Sequence, residues 1–334
     1  MYARNLATEN TGSTEENHPA KYFVLCDSAT SRKHLAMFRV EKIESLDGAE
    51  LAPYRTLKRP FEHEEQGIFV AEGDKVVRRL MESHFGVVSI LLPENRLAEF
   101  EVLAKERPEK EIKVFSIAKK SVLEELVGFE MFQGVLAVGK IPPPPSLDAI
   151  LAGSPRPHLL VAMDALTNAE NLGVLVRNCA AFGTHALIVG ETCSSPFLRR
   201  AVRNSMGTIF QLPVYEVYSR RGEVSEPRHA DGKLKRRDDP ITTLAQTLGE
   251  LRKRGVRCIA AHPHTDKKTL AQADFSGDVC IVLGSEGNGI SKAVLEACDE
   301  AVAIPMSNGV DSLNVGAAAA VFLYEVNRQR NKQF

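Results

Sequence analysis

Three short segments decide the fold of this chain: Asn171-Leu172-Gly173, Leu283-Gly284-Ser285-Glu286-Gly287-Asn288-Gly289, and Ile304-Pro305-Met306 followed by Ser312-Leu313-Asn314-Val315. Each places small or polar residues at the end of an apolar run, where a strand stops and a helix begins. In α/β proteins, ligands bind outside the carboxyl ends of such strands. The segments therefore indicate an α/β fold with a ligand site built on them.

The composition is that of a globular protein with two domains. The chain has 334 residues, of which 44% are hydrophobic and 25% are charged, and this length favours two domains over one. No run approaches the roughly 18 apolar residues that span a membrane. The stretch Met1–Ala20 is polar and acidic, unlike a signal peptide. We expect a cytoplasmic protein with no membrane partner.

The cysteines indicate buried thiols and no metal site. Six are scattered without a CxxC or Cys/His zinc spacing: Cys26, Cys179, Cys193, Cys258, Cys280 and Cys298. Cys179, Cys258 and Cys280 have apolar neighbours in sequence, which favours buried free thiols. A reducing cytoplasm fits this pattern.

Charge sets a limit on nucleic-acid binding. The formal net charge is −1, which argues against broad nonspecific binding to nucleic acids. Any RNA contact must come from local patches.

Alternating apolar runs and helical stretches predict two α/β units joined at Ile141-Pro142-Pro143-Pro144-Pro145. A polyproline run joins neither helix nor sheet and is typical of a stiff linker. The predicted organisation is a disordered stretch 1–20, an extension of unclear structure 21–60, an α/β unit 61–141, a linker 142–156, and a second α/β unit 157–334 with a mobile insertion 219–240.

Asn171 and Gly173 open a predicted helix, and Asn is a good N-cap residue, so capping alone explains them. Arg177 follows among apolar neighbours, which seldom surround an unpaired arginine. It could hold a phosphate or help to remove a hydroxyl proton. An ion pair with Glu286 or Asp164 is the structural alternative.

The stretch Gly284–Gly289 is neither a dinucleotide fingerprint nor a P-loop, because it has no G-x-G-x-x-G and no Gly-Lys-Ser/Thr. A plain tight turn explains it. It also offers backbone that a ligand can approach closely, together with the Glu286 carboxylate.

The third segment supplies an apolar strand end at Ile304–Met306, which suits the flat face of an adenine. Ser312 and Asn314 then put a hydroxyl and an amide at the start of the last helix, where one of them could be an N-cap. The small residues Gly316–Ala320 indicate close packing of this helix against another backbone.

In order and spacing, these segments resemble the three motifs of the SpoU/TrmH family of RNA ribose 2'-O-methyltransferases, in the SPOUT superfamily, over about residues 158–334. The resemblance implies a parallel sheet with a deep trefoil knot that binds S-adenosyl-L-methionine. Such a knot is a known exception to the rule that protein chains do not thread through their own loops. It assigns donor contacts to Gly284, Gly289, Ile304, Met306 and Leu313. It assigns the polar active-site roles to Asn171, Arg177, Glu286, Ser312 and Asn314.

Upstream, Phe69-Val70-x-Glu72-Gly73 and Phe132-Gln133-Gly134 resemble the small L30e-like RNA-binding domain that precedes the catalytic domain in many family members. The segment Arg203-x-Ser205-x-Gly207 resembles a further family segment placed toward the RNA. The resemblance thus implies RNA contacts at Glu72, Gln133, Arg203 and Ser205. Phe132 departs from the family, which commonly has His there, and this change puts a specific hydrogen bond in doubt.

The implied activity is transfer of a methyl group from S-adenosylmethionine to a ribose 2'-hydroxyl of structured tRNA or rRNA, without a metal. The resemblance also implies a homodimer through the C-terminal domain, in which Arg177 of one subunit faces the donor of the other. Two alternatives stay open: a non-catalytic RNA-binding or ribosome-assembly protein, and a small-molecule enzyme with a nucleotide cofactor. The absence of a phosphate loop disfavours the second.

Overall fold

The structure is a computed structural model that describes residues 37–117, 134–217, 243–265 and 268–330. The predicted disorder of residues 1–20, the predicted insertion 219–240 and the predicted RNA contact Gln133 lie outside these ranges. Across the described residues, no helix is both long and apolar enough to cross a bilayer.

The first unit is a five-stranded mixed sheet in the order β1-β4-β3-β5-β2. Its strands are β1 Met37–Ile43, β2 Ile68–Glu72, β3 Val87–Pro93, β4 Glu111–Ile117 and β5 Leu136–Lys140. In the described part of this unit, four helices accompany them: α1 Ala52–Arg55, α2 Pro60–Glu65, α3 Asp74–Glu82 and α4 Leu97–Ala104. Strands β1, β4 and β3 are parallel, whereas β5 runs antiparallel to both β3 and β2. Strand β1 lies at the sheet edge inside the range that the sequence left without an assigned structure.

The second unit is a six-stranded, entirely parallel sheet in the order β11-β9-β10-β6-β7-β8. Its strands are β6 Leu159–Met163, β7 Ala186–Val189, β8 Val214–Glu216, β9 Arg257–Ala261, β10 Val279–Leu283 and β11 Glu300–Val302. Its helices are α5 Leu147–Gly153, α6 Ala169–Ala181, α7 Arg199–Asn204, α8 Leu244–Lys253, α9 Lys292–Ala297 and α10 Val315–Gln329. Strands β6 and β10 are buried along their whole length, as their continuous apolar runs predict for parallel strands covered on both faces.

Two predicted elements differ from the structure. Helix α5 lies within the range predicted as linker, capped by the Ser146 hydroxyl, which accepts a hydrogen bond from Ala149 N. The apolar residues of Phe210–Val217 predict a strand, but this segment begins as a 3-10 turn that ends at Gln211, and the strand covers only Val214–Glu216. Pro213 explains the shortening, because proline has no N–H to donate to a neighbouring strand.

The two sheets share one hydrophobic core across their contact. The ring centroids of Phe69, from β2, lie 5.8 Å from Phe197 and 5.5 Å from Phe210, both from the second unit. Phe85 lies 5.3 Å from Phe210. The two units therefore pack against each other in spite of the polyproline stretch. The domain boundaries predicted from the sequence are not tested by this contact and stay predictions.

Replacing Phe69 by alanine tests this shared core. Phe69 is buried, so Phe69→Ala should cost about 3–5 kcal/mol of unfolding free energy. The matched control is Phe61→Ala, whose ring is 76% exposed and whose loss should cost less than about 0.5 kcal/mol. Urea unfolding measures both variants, and equal effects would contradict a packed contact between the sheets.

Candidate active site

The side chain of Asn314 joins the three sequence segments. Its Nδ2 donates to Asn171 Oδ1 at 3.1 Å and to Glu286 Oε1 at 2.6 Å. Its Oδ1 accepts from Gly316 N at 2.9 Å, which makes Asn314 the N-cap of α10. The predicted capping role of Asn314 is confirmed, and the same side chain bonds residues of the two other segments.

Asn171 is not the N-cap of its helix, contrary to the simpler sequence interpretation. Asn168 occupies that position, and its Oδ1 accepts from Glu170 N at 2.9 Å and from Asn171 N at 3.1 Å. Asn171 thus lies in the first turn of α6, where its amide is available to Asn314.

The glycine-rich segment forms a closed turn directly after β10. Ser285 and Gly289 exchange two backbone hydrogen bonds, of 3.0 and 2.9 Å. A Cβ on Gly284 would lie 2.2 Å from the Gly289 carbonyl carbon, so only glycine fits there. Gly289 has a φ of +65°, which glycine adopts without strain. Asp164, at the end of β6, anchors the exit of the turn by accepting from Ser291 N at 2.6 Å.

This turn forms one wall of a cavity of about 210 Å³. The ends of β9, β10 and β11 and the start of α10 supply the other walls. All five residues predicted to contact the donor line the cavity, together with two of the predicted polar residues: Gly284, Gly289, Ile304, Met306, Leu313, Glu286 and Ser312. The cavity therefore combines free backbone, apolar side chains and one carboxylate.

His262 lines the same cavity and was missed by the sequence reasoning. The backbone N–H of His262 donates to Val302 O at 3.0 Å. Its ring nitrogen Nδ1 is buried without a partner among the described residues. Burial lowers the pKa of the His262 imidazole, and the nearby His264 ring lowers it further, so the ring is neutral at neutral pH. The sequence did contain an indication of this residue. His262-Pro263-His264 directly follows the apolar strand β9, just as each of the three segments follows an apolar run.

Arg177 occupies a different environment from the one predicted. It is exposed on the outer face of α6 and is not part of the cavity wall. Within the described part of the chain, it makes no hydrogen bond or ion pair. The alternative of an ion pair is wrong here, because Glu286 bonds Asn314 and Asp164 bonds Ser291 instead.

Three of the predicted RNA contacts, Glu72 of the first unit and Arg203 and Ser205 of the second, lie at the junction of the two sheets. Glu72 is buried and forms ion pairs with Arg199 and with Arg203, the latter at 2.8 Å. Ser205 is fully buried, where its Oγ donates to Val202 O at 2.7 Å and accepts from Gly207 N at 3.1 Å. Glu72 and Ser205 thus support the fold and do not present their side chains at the surface.

The cysteines Cys179, Cys258 and Cys280 are buried free thiols, as predicted. Burial raises the pKa of Cys179 to about 12, so this thiol is unreactive at neutral pH. Over the described ranges, no group of three or more His, Cys, Asp or Glu side chains is arranged to hold a metal ion.

A model of the SpoU rRNA Methylase family matches residues 158–237 and 227–324. An uncharacterised tRNA/rRNA methyltransferase of Mycobacterium bovis is 30% identical over 298 residues, which cover 86% of this chain and 92% of the relative. The chain belongs to the SpoU rRNA methylase family. The three segments that meet at Asn314 all lie within the matched residues.

Two further relatives of this SpoU-family protein carry more specific names. The 23S rRNA (guanosine-2'-O-)-methyltransferase RlmB of Ralstonia nicotianae is 32% identical over 210 residues, covering 63% of this chain and 74% of the relative. The solved structure of AviRb from Streptomyces viridochromogenes with AdoMet has a TM-score of 0.64 at 23% identity, over 85% of this chain and 99% of that one. At that identity, the second likeness supports the fold alone.

The glycine turn allows a matched test of the site's architecture. Gly284→Ala should destabilise the protein by about 1–3 kcal/mol, the usual range for overpacking, because its methyl group has no space beside Gly289. Gly287→Ala is the control, since a Cβ there meets nothing within 4 Å. Chemical denaturation compares the two, and an equally stable Gly284 variant would show that the turn is not closed as described.

Proposed function

We propose that this SpoU-family protein transfers a methyl group from S-adenosyl-L-methionine to a ribose 2'-hydroxyl of structured tRNA or rRNA. The observation that carries the proposal is the hydrogen-bonded link from Asn314 to Asn171 and Glu286 beside the cavity. The related proteins support it, because RlmB is a 2'-O-methyltransferase of 23S rRNA and the AviRb structure contains AdoMet.

The cavity residues fit such a donor. Ile304 and Met306 offer apolar contact to an adenine ring, and the turn after Gly284 offers backbone groups to a polar ligand. The buried Nδ1 of neutral His262 lacks a partner among the described residues, which is the condition expected of a side chain that completes its hydrogen bonds with a ligand. When bound, S-adenosylmethionine supplies a methyl group on a positively charged sulfur.

The chain's own residues must activate the acceptor. A ribose hydroxyl is a poor nucleophile at neutral pH, so a positioned base and a fixed orientation are needed. We assign orientation to Asn171, Ser312 and the Asn314–Glu286 pair, since these polar groups cluster at the rim. Arg177 contacts the adjacent phosphate and, in its neutral guanidine form, accepts the hydroxyl proton; the guanidinium that results stays paired with that phosphate.

In this proposal, Arg177 acts at the donor cavity of a second subunit and not at the cavity of its own chain. It lies on the solvent face of α6, outside the cavity of its own chain. Exposed apolar side chains surround that face: Val174 on α6, and Val321 and Tyr324 on α10. A homodimer through this surface would cover them and bring each Arg177 to its partner's donor.

The small residues of α10 are divided between two roles. Gly316 packs within the chain, because a Cβ there would lie 2.5 Å from Val174 Cγ1, and its carbonyl accepts from Asn178 Nδ2 at 2.6 Å. Ala317 is exposed and is left for contact between subunits. The close packing predicted for this run is therefore partly used inside one chain.

The proposal extends to the finer features that the family resemblance implies. We infer that the last segment threads a trefoil knot, that the first unit is an L30e-like RNA-binding domain, and that the protein works without a metal in the cytoplasm. Support for the knot comes from residues 312–316, which contact both the turn after β10 and the start of α6.

Arg177→Ala tests the proposed chemistry. The purified protein should methylate ribose in total cellular RNA, and the variant should be at least about 10²-fold slower, the scale of a lost proton-transfer group. Its unfolding and its donor affinity by calorimetry should match the wild type, because the side chain has no partner within the described chain.

Arg177→Lys is the control for charge, because lysine keeps the charge but loses the planar fork that grips a phosphate. A fully active Ala variant would exclude the catalytic role of Arg177. Donor binding by the wild type without methyl transfer to any RNA would favour the non-catalytic RNA-binding alternative.

Val321→Glu tests the proposed dimer surface. Val321 is 38% exposed on α10, and a carboxylate buried against a second subunit would be unpaired. Multi-angle light scattering should give a dimer for the wild type and a monomer for this variant, with donor binding weakened. Val102→Glu is the control, at a 62% exposed valine on α4; a wild-type monomer at micromolar concentration would reject the surface.

A further inference from the structure

A second cavity, of about 260 Å³, lies between the two sheets. Its apolar lining comes from both units: Leu57, Ile68, Ile141, Phe197 and Leu198. Its polar lining includes Glu64, Ser195, Lys58, Arg199 and Arg200. None of these residues belongs to the three motifs, so the proposed methyl transfer leaves this cavity without a role.

The charges of this second cavity differ from those of the whole chain. The chain has a net charge of −1, yet three cationic side chains line the cavity against the single carboxylate of Glu64. Lys58 and Arg200 are exposed and make no ion pair with any described residue. Arg199 pairs with Glu72, but its Nε is buried without a partner within the described ranges. Local cations of this kind attract a phosphate without making the entire protein basic.

Glu64 gives the cavity an acceptor inside its apolar part. Burial raises the pKa of its carboxyl, and an interaction with Ser195 partly offsets that effect. A carboxylate accepts hydrogen bonds from the N–H groups of nucleobases. Apolar walls, one acceptor and exposed cations at the rim are together what an unstacked nucleotide requires of its binding site.

The second cavity also adjoins the proposed active site. Ala169, the first residue of α6, is part of its lining. Asn171 follows two residues later, which is about 3 Å along a helix axis. A ligand in this cavity therefore lies beside the site where the acceptor ribose is positioned.

We infer that the second cavity binds one nucleotide of the RNA substrate, a neighbour of the methylated one. Its base lies against Phe197 and Ile68 and donates to Glu64, and its phosphate contacts Lys58 and Arg200. This inference rests on the proposed function for the identity of the ligand as RNA, and it adds a subsite outside the family motifs.

Salt-dependent binding of a random-sequence 12-nucleotide RNA, followed by fluorescence anisotropy, tests the phosphate contacts. The double variant Lys58→Ala/Arg200→Ala should bind about tenfold more weakly near 0.1 M salt. The slope of log K against log salt should become shallower by about 0.7, because each phosphate neutralised on a single strand contributes about 0.7. The control Lys253→Ala removes another exposed lysine, from α8 on the opposite face of the second sheet, and should leave the slope unchanged.

Glu64→Ala, which removes the side-chain acceptor, tests base reading with the four homopolymeric 12-nucleotide RNAs. Loss of a base contact should change the ratios between their affinities by about tenfold, whereas simple loss of a negative charge would strengthen all four equally. Any one of three results would overturn the inference. They are unchanged affinity ratios in the Glu64 variant, an unchanged salt slope in the double variant, and no binding of the wild type to any of these RNAs.

Donor calorimetry and methyl transfer to cellular RNA, measured on the same proteins, separate this inference from the proposed function. An inactive wild type whose RNA binding still depends on Lys58, Arg200 and Glu64 would reject the methyl transfer and keep the subsite. If the wild type is active but its RNA affinity does not change when these residues are replaced, the methyl transfer is supported and the subsite is rejected.

Discussion

One side-chain amide links parts of the chain that are far apart in sequence. Asn314 bonds Asn171 across 143 positions and Glu286 across 28, and it caps α10 at the same time. Each bond is a contact that exists only when the parallel sheet has placed its strand ends side by side. Formation of the last helix and assembly of the site are therefore coupled, because both draw on the same few atoms. The bond to Glu286 involves a charged acceptor, which makes it stronger than a bond between neutral groups.

A second constraint lies where the two sheets meet. The buried carboxylate of Glu72 would be costly alone, and Arg199 and Arg203 from the second unit neutralise it. The four phenylalanine rings beside it exclude water. Charge pairing and these aromatic contacts together hold the two sheets against each other. The two proposed RNA-binding elements, the first unit and the second cavity, depend on this junction for their position.

The sequence predicted what is local or repeats along a strand. Continuous apolar runs identified β6 and β10. All five residues to which the family resemblance assigned donor contacts line the first cavity, and the contacts themselves stay predictions. Prediction from the sequence failed where tertiary packing alone determines whether a side chain is buried or exposed. Arg177 has apolar neighbours in sequence, but the helical period places it with Glu170, Val174 and Ala181 on the solvent face of α6. Glu72 and Ser205 are polar residues near turns, and only the contact between the sheets buries them.

The packed junction also has a consequence for the substrate. Rings in van der Waals contact and a neutralised carboxylate leave little freedom for one unit to swing over the other. The two proposed binding regions would then lie at a set separation and could not close around a ligand. An RNA that engages both must already be folded, or must bend, so that its recognition element and its target ribose match that distance. The junction would then act as a molecular ruler, and selection among RNAs would depend on their three-dimensional shape more than on the identity of any one base.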